Sequence, residues 1–303
     1  MRYNINAIYF LVDEFCKIYQ QWQRNRLISG NQIRIRNHKM SLGEMLTVMV
    51  IYHLSPCREF KSFYHYFLLT KHRRDFGNFL SYNRFVALMP QLLVPLICLL
   101  HCLSGRKDEV YFIDSTKMQI CHNKRTNSNR VFRGLATIGK SSYGWFMGFK
   151  LHLIINTKGQ IIAVKITAGN VDDRSVVKEI TKNLSGKIFG DKGYISQDLF
   201  NELFKRGLKI ITGIKANMKN YLMSLNDKIL LRKRSVIESV LDILKNRMGL
   251  EHTRHRSPIN FLVHTISCLV AYQLRTNKPK IKNSDNYQKF FCEKIIGFEG
   301  VKN

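Results

Sequence analysis

"GDKGYIS", residues 190–196, follows the short run Lys187-Ile188-Phe189, and its reading decides the fold. An Asp just past a strand-like run, between glycines at 190 and 193, is either a turn residue or a carboxylate set at a strand end to hold a metal ion. Working outward, "EVYFID" (109–114), "FMGFKLHLIIN" (146–156), "QIIAVKITAG" (160–169) and "LKIITGIK" (208–215) are rich in β-branched and aromatic residues and predict strands, with 187–189 as another. Thr157-Lys158-Gly159 predicts the turn between two of them. Asp172-Asp173 predicts the cap of a helix over 175–184, and further helices are expected over 197–206, 233–248 and from Ser257-Pro258 to Leu274. Gly249 stands at a helix stop position. The expected order is three strands in hairpin-like succession, then helix, strand, helix, strand, helix. That is an α/β mixed five-stranded sheet flanked by helices.

Residues 1–105 read as helical. Apolar residues recur near helical spacing over 7–19, Ser41-Leu42-Gly43-Glu44 predicts a capping box opening a helix over 42–53, and Ser81 predicts the cap of another. Short helices in succession, with "SYNRF" (81–85) opening one, suit either a helix-turn-helix module or a plain helical bundle. In the first case Tyr82, Asn83 and Arg84 would face a DNA groove. The expected division is 1–105, an all-α N-terminal domain; 106–277, the mixed sheet; and 278–303, a basic tail of unknown role.

Charge narrows the partners. Lys and Arg number 49 against 21 Asp and Glu, a formal balance of +28. Such a chain repels itself unless a polyanion is near, and nucleic acid is the commonest one. The longest apolar run, 92–103, is broken by Pro95 and His101 and falls short of the ~20 residues that a membrane span needs. The N-terminus lacks a signal-peptide layout. Seven scattered cysteines form no C-x-x-C pair, which argues against a zinc ribbon or disulfide framework and for a reducing cytosol.

Asp114 closes the first predicted strand. Between it and Asp172 lie nine Lys or Arg residues and no acid, so a simple ion pair is one reading of Asp114. The other is a metal site. The strand ends can bring Asp114 and Asp191 together, and two close anions repel unless a cation neutralises them. Oxygen ligands suit Mg²⁺ or Mn²⁺. Glu238 is the candidate third acid. At ~100° per residue, Arg234, Glu238 and Lys245 fall on one edge of a helix beside the apolar stripe Ile237, Val240, Leu241, Leu244 and Met248. Ser235-Val236-Ile237-Glu238 also fits a capping box, in which Glu238 would serve only its own backbone. Arg232-Lys233-Arg234 would then crowd the positive end of the helix dipole, an arrangement that calls for an anion.

These residues resemble the DDE triad of bacterial insertion-sequence transposases, whose catalytic domain is ribonuclease H-like. "DKGY" (191–194) is similar to the Asp-x-Gly-Tyr motif around the second acid, and Arg234, Glu238 and Lys245 match three of the four elements of the YREK signature. The tyrosine position is Leu231. "GFKLHLIIN" (148–156) and "ITAGNVDD" (166–173) are similar to the family's second and third strands. The resemblance covers about 109–275, and only 46 residues separate Asp191 from Glu238, too few for a large β-rich insertion.

The resemblance implies a transposase that cleaves the ends of an insertion sequence and joins the freed 3′-OH to target DNA. Asp114, Asp191 and Glu238 would hold two Mg²⁺ or Mn²⁺ ions. Arg234 and Lys245 would contact phosphates, with Lys192, Tyr194, Arg133 and Arg84 as further DNA contacts and Lys117, Lys124, Arg125 and Arg130 as a sequence-neutral grip. A homodimer or higher oligomer is expected, because two element ends must be synapsed, and so is a bacterial cytoplasmic, nucleoid-associated location. The absence of a G-x-x-x-x-G-K-[ST] loop agrees with strand exchange that uses no nucleotide. A ribonuclease H-like nuclease without strand transfer, or a non-catalytic DNA-binding protein, are the competing readings. Trp145-Phe146 and Phe290-Phe291 are expected in core or interface, and His122 and His152 as ordinary strand histidines.

Overall fold

A computed structural model describes residues 3–26, 39–141, 144–218, 222–251 and 255–281. Helices α1 (Ile5–Arg26) and α2 (Leu42–Leu54) open the chain, followed by α3 (Phe60–Ser62), a π-helical turn (Phe63–Leu68) and α4 (Leu69–Lys71). Next come α5 (Tyr82–Leu88), a 3₁₀ turn (Met89–Leu92) and α6 (Leu93–Cys102). The strands are β1 (Val110–Gln119), β2 (Thr137–Ser141), β3 (Gly144–Asn156), β4 (Ile161–Ala168), β5 (Gly186–Gly190) and β6 (Leu208–Thr212). Helices α7 (Asp173–Ile180), α8 (Gln197–Lys205), α9 (Leu225–Arg232), α10 (Ser235–Asp242) and α11 (Pro258–Leu274) complete the fold, with a second π-turn (Ile243–Arg247) extending α10.

The sheet runs β4-β3-β1-β5-β6, with β3 antiparallel to β1 and β4, and β5 parallel to β1 and β6. This is the expected ribonuclease H-like α/β arrangement, with one addition. Strand β2 forms a hairpin with the first part of β3 and lies end to end with β4 along the same edge, making six strands where five are expected. "TIGKS" (137–141) carries one large apolar residue, Ile138, which is exposed, so alternation gives no signal there.

Alternation along β1 splits the core in two. Phe112, Met118 and Ile120 join the cluster that contains α10, α11 and the N-terminal helices. Tyr111 and Ile113 join the cluster formed with Val177, Leu199 and Leu203 of α7 and α8. The first cluster is continuous from Ile8 of α1 to Tyr272 of α11. The expected boundary at 105/106 falls where helix gives way to strand, and the apolar core runs across it. Residues 278–281 belong to this body too, since the Ile281 amide donates to the Thr157 carbonyl; residues 282–303, including Phe290-Phe291, lie outside the described residues.

Several N-terminal expectations need correction. The capping box is present, with Ser41 Oγ accepting from the Glu44 amide and the Glu44 carboxylate accepting from the Ser41 amide. Ser81 caps α5 through the Arg84 amide. Helices α4 and α5 do not form a helix-turn-helix with "SYNRF" opening its second helix, because residues 72–81 separate them, where that motif has a turn of ~3–4 residues. Tyr82 does not face a groove. It packs among Phe60, Tyr64 and His65, while Asn83 and Arg84 are exposed. Pro95 does not break the apolar run, because it falls in the first turn of α6, where a missing amide costs no helical bond. Tyr82–Cys102 is in fact one helical stretch long and apolar enough to cross a membrane. In this fold Phe85, Leu88, Leu92, Leu96 and Leu99 are buried, and α6 packs on α1 and α11.

Phe112 and Phe189 stack across β1 and β5, with ring centroids 5.7 Å apart, and fix the parallel register that positions the site. Phe189→Ala is expected to lower unfolding free energy by about 3–5 kcal/mol, measured by guanidinium denaturation; a loss under about 1 kcal/mol would show that the register is held elsewhere.

Candidate active site

The parallel pairing of β1 with β5 aligns Val110 with Lys187 and Phe112 with Phe189. Carried two residues further, the same offset sets Asp191 beside Asp114, on the face of the stacked phenylalanines. Adjacent strands lie ~4.8 Å apart. The two aspartates share a local geometry. Asp114 Oδ1 accepts from the Ser115 amide at 2.8 Å, and Asp191 Oδ1 accepts from the Lys192 amide at 2.6 Å. Each carboxylate thus folds one oxygen onto the next residue and leaves Oδ2 for another partner. So Asp191 is a turn residue, capping the 3₁₀ turn Lys192–Tyr194, and its second oxygen takes no hydrogen bond among the described residues.

Glu238 arrives on α10, which packs against β1 through the buried face Val236, Ile237, Val240 and Leu241. The capping-box alternative fails. Arg234 is the N-cap residue, Ser235 is already helical, and the Glu238 side chain turns to the Arg234 guanidinium. Arg234 Nη2 donates to Glu238 Oε1 at 2.8 Å, and Arg234 Nη1 lies 3.5 Å from Asp114 Oδ2. One guanidinium therefore bridges a strand-borne and a helix-borne carboxylate. Of the basic residues that crowd the start of α10, Arg234 meets its anions within the chain.

Asp114 is the perturbed member. Burial pushes its carboxyl up to about 6; the Ser115 amide and Arg234 oppose the rise, while Asp191 and Glu238 add to it by like-charge repulsion. Its side chain retains 21% exposure and that of Glu238 56%, so the site opens toward the Glu238 side. Among the described residues, no three His, Cys, Asp or Glu side chains are close enough together to hold a metal ion. The donor chemistry nevertheless suits one: Asp114 and Glu238 flank the cationic Arg234 guanidinium, and Asp191, one strand over from Asp114, keeps an oxygen without a hydrogen bond among the described residues.

The remaining candidates separate. Lys245 does not continue the Arg234–Glu238 edge. The π-turn at Ile243–Arg247 inserts an extra residue and shifts the helical phase across Lys245. Lys245 pairs with Glu251 at 3.4 Å, and Glu251 accepts from the Gln119 amide, five residues along β1 from Asp114 and so about 16 Å away. Tyr194 is buried and is no DNA contact as it stands, because its ring packs where a side chain on Gly190 would go. Lys192 is exposed and its chain crosses Gly213. Arg130 and Arg133 line an open cavity of about 520 Å³ with Asn127, Asn129 and Ile138. Phe146 is buried as expected, but Trp145 is 62% exposed, with the Lys140 ammonium 5.7 Å from its ring. His122 is exposed and accepts from the Lys124 amide; His152 is buried.

Sequence reading misses a second polar network behind Asp114. Ser115, pointing to the opposite face of β1, donates to Asp173 Oδ2 at 2.8 Å, and Lys150 donates to Asp173 Oδ1 at 3.0 Å. His152 bonds Thr167, with Nδ1 4.0 Å from Asp173. Burial and Lys150 and Lys165 lower the affinity of His152 for a proton, against the pull of Asp173. The signal is present in period two: Lys150 and His152 sit at alternate positions of β3, facing Lys117 and Ser115 in register.

A carboxyl that titrates higher in the folded than in the unfolded chain, near 3.8, is neutral in the fold where it would ionise unfolded. Its penalty is complete above about pH 6 and gone below about pH 4, and at most it is on the order of 3 kcal/mol. In chelator-treated protein, Asp114→Asn should therefore melt higher than wild type at pH 7.5, with the gap shrinking as pH falls through 6. A gap that is constant with pH would refute the buried, repelled carboxylate.

Residues 104–258, just over half of the chain, match the family model described as Transposase DDE domain. Among solved structures, a piggyBac transposase synaptic complex with hairpin DNA, seen by cryo-EM, aligns over 88% of this chain and 72% of its own, at 10% identity and a TM-score of 0.49. The Mos1 strand transfer complex aligns over 86% and 87% at 7% identity and a TM-score of 0.23. No curated protein matches significantly. With a family model spanning both aspartates, Arg234 and Glu238, the chain belongs to the transposase DDE domain family.

Proposed function

We propose that this protein is a bacterial insertion-sequence transposase, of the branch carrying the Arg-Glu-Lys signature, that cuts element ends and joins the freed 3′-OH to target DNA. The observation that carries the reading is the convergence of Asp114 and Asp191, set by one parallel register, with Glu238 tied to Asp114 through Arg234. Asp114, Asp191 and Glu238 are the catalytic residues. They would hold two divalent ions, Mg²⁺ or Mn²⁺, which when bound supply Lewis-acid activation of the attacking oxygen and stabilisation of the leaving one.

The chain's own residues do the rest. Burial of Asp114 keeps water from competing at the inner side of the site. Asp191, anchored through its own turn, presents its outer oxygen without reorganisation. Arg234, Lys192, Arg130, Arg133 and the exposed Arg84 supply cations for the phosphates of double-stranded element and target DNA, and the +28 balance draws that DNA in. Two ends require a homodimer or larger assembly. The location that fits is the bacterial cytoplasm, at the nucleoid.

The test uses purified full-length protein, Mg²⁺, and pre-cleaved ends taken from the inverted repeats that flank the gene. Wild type should give strand-transfer products. Asp114→Asn, Asp191→Asn and Glu238→Gln should each reduce them at least about 10³-fold while leaving DNA retention in a gel shift within about threefold. Cleavage without any joined product would point to a nuclease. Activity surviving all three substitutions would remove the active site from this place.

A further inference from the structure

The bridge made by Arg234 has a consequence for how the site is loaded. Its main chain is fixed: Arg234 is the N-cap of α10, and its carbonyl accepts from the Ile237 amide at 3.0 Å. Only the side chain is free to leave. That side chain is 20% exposed, with one nitrogen toward buried Asp114 and another bonded to Glu238, the more open acid. The planar, two-pronged guanidinium serves two carboxylates at once, which a lysine ammonium on a flexible stem does less well. While it does so, Glu238 Oε1 is committed to a cation that belongs to the chain.

We propose that Arg234 is a positioning residue acting as an internal counter-ion: without DNA it neutralises Asp114 and Glu238, and a DNA phosphate must take its guanidinium before these acids close on a divalent cation. The inference rests on the reading of Asp114, Asp191 and Glu238 as the metal-binding acids. Its logic is charge balance. Three carboxylates with Arg234 in place carry a net charge near −2; once a phosphate withdraws the guanidinium, all three negative charges face the cation alone, and affinity for it rises. Phosphate is also the anion for which the guanidinium fork is best shaped. By linkage, each ligand then strengthens the other by the same factor, so that metal loads where DNA is already bound.

The test measures Mn²⁺ binding to full-length protein by electron paramagnetic resonance of the free ion, with and without a short DNA duplex, using the Glu238→Gln protein with duplex as the blank for DNA-held metal. Without DNA, Arg234→Gln should bind Mn²⁺ about tenfold more tightly than wild type, the effect of releasing a charge-assisted hydrogen bond. Arg234→Lys should fall between them. Duplex should tighten wild type by a similar factor and leave Arg234→Gln unchanged. Equal or weaker Mn²⁺ binding by Arg234→Gln, in protein that melts like wild type, overturns the proposal. If that variant melts lower, the decision passes to Arg234→Lys, and wild-type Mn²⁺ affinity there overturns it. Should Asp114→Asn and Glu238→Gln bind Mn²⁺ as wild type does, the acids themselves are not the metal site and the functional reading fails. Loss of binding in those two with no gain in Arg234→Gln rejects the counter-ion alone.

Discussion

Asp114 sits partway along a central strand, mostly removed from water, with two further carboxylates near enough to raise its proton affinity. An isolated charge in such a position is unfavourable, and the surroundings respond to that fact. The Ser115 amide takes one oxygen and the Arg234 guanidinium faces the other. The same strain underlies the reactivity proposed for the site. A cluster that is already short of positive charge in its resting form has a standing demand for cations, and a divalent ion meets that demand better than a guanidinium shared between two acids.

The sheet separates this chemistry from its support. Even-numbered positions of β1 face α10 and carry Phe112 and Asp114; odd-numbered ones face α7 and α8 and carry Ile113 and Ser115. The Ser115–Asp173–Lys150 network therefore holds the strand from behind without drawing on the oxygens of Asp114. It also ties the N-terminus of α7 to β1 and β3, so that the Asp172-Asp173 pair does two jobs. Asp172 caps the helix, and Asp173 reaches across to the strand.

Much of this is readable in the sequence because it is governed by local chemistry. The strands at 109–114, 146–156, 160–169, 187–189 and 208–215, and the caps at Ser41, Ser81 and Asp172, follow from side-chain type and short-range hydrogen bonding; each predicted strand overlaps an observed one, although β1 runs on past Asp114 to Gln119. The features hidden from sequence depend on phase or on distant contacts. A uniform 100° rotation carries Lys245 onto the Glu238 edge, but the π-turn at 243–247 intervenes, and the identity of Lys245 alone cannot reveal that its partner is Glu251. Helix α9 is missing from the expected order; it ends just before the expected helix over 233–248 and is tied to β5 by Asp227 and Lys187 at 2.8 Å, a contact across 40 positions. The resemblance makes Tyr194 a DNA contact, whereas its ring is buried in the space left by Gly190. The three candidate acids are legible in order; the guanidinium that joins two of them becomes visible only in three dimensions.

The overall charge and the local charge of the site are opposed, and this opposition shapes how substrate is received. A chain at +28 favours DNA, yet the proposed reaction needs a phosphate to approach three carboxylates that repel it. Basic residues flank the acids instead of surrounding them evenly. Arg234 is at the start of α10 beside Asp114 and Lys192 directly follows Asp191, while Arg130 and Arg133 lie farther along the sheet, in a cavity lined by Ile138 and Met147 of the β2–β3 hairpin. A backbone held by these cations can be brought to the acids without any favourable contact with the acids themselves. The remaining repulsion then falls on the phosphate at the site, which in the proposed reaction is the place where a divalent ion would mediate between two sets of anions.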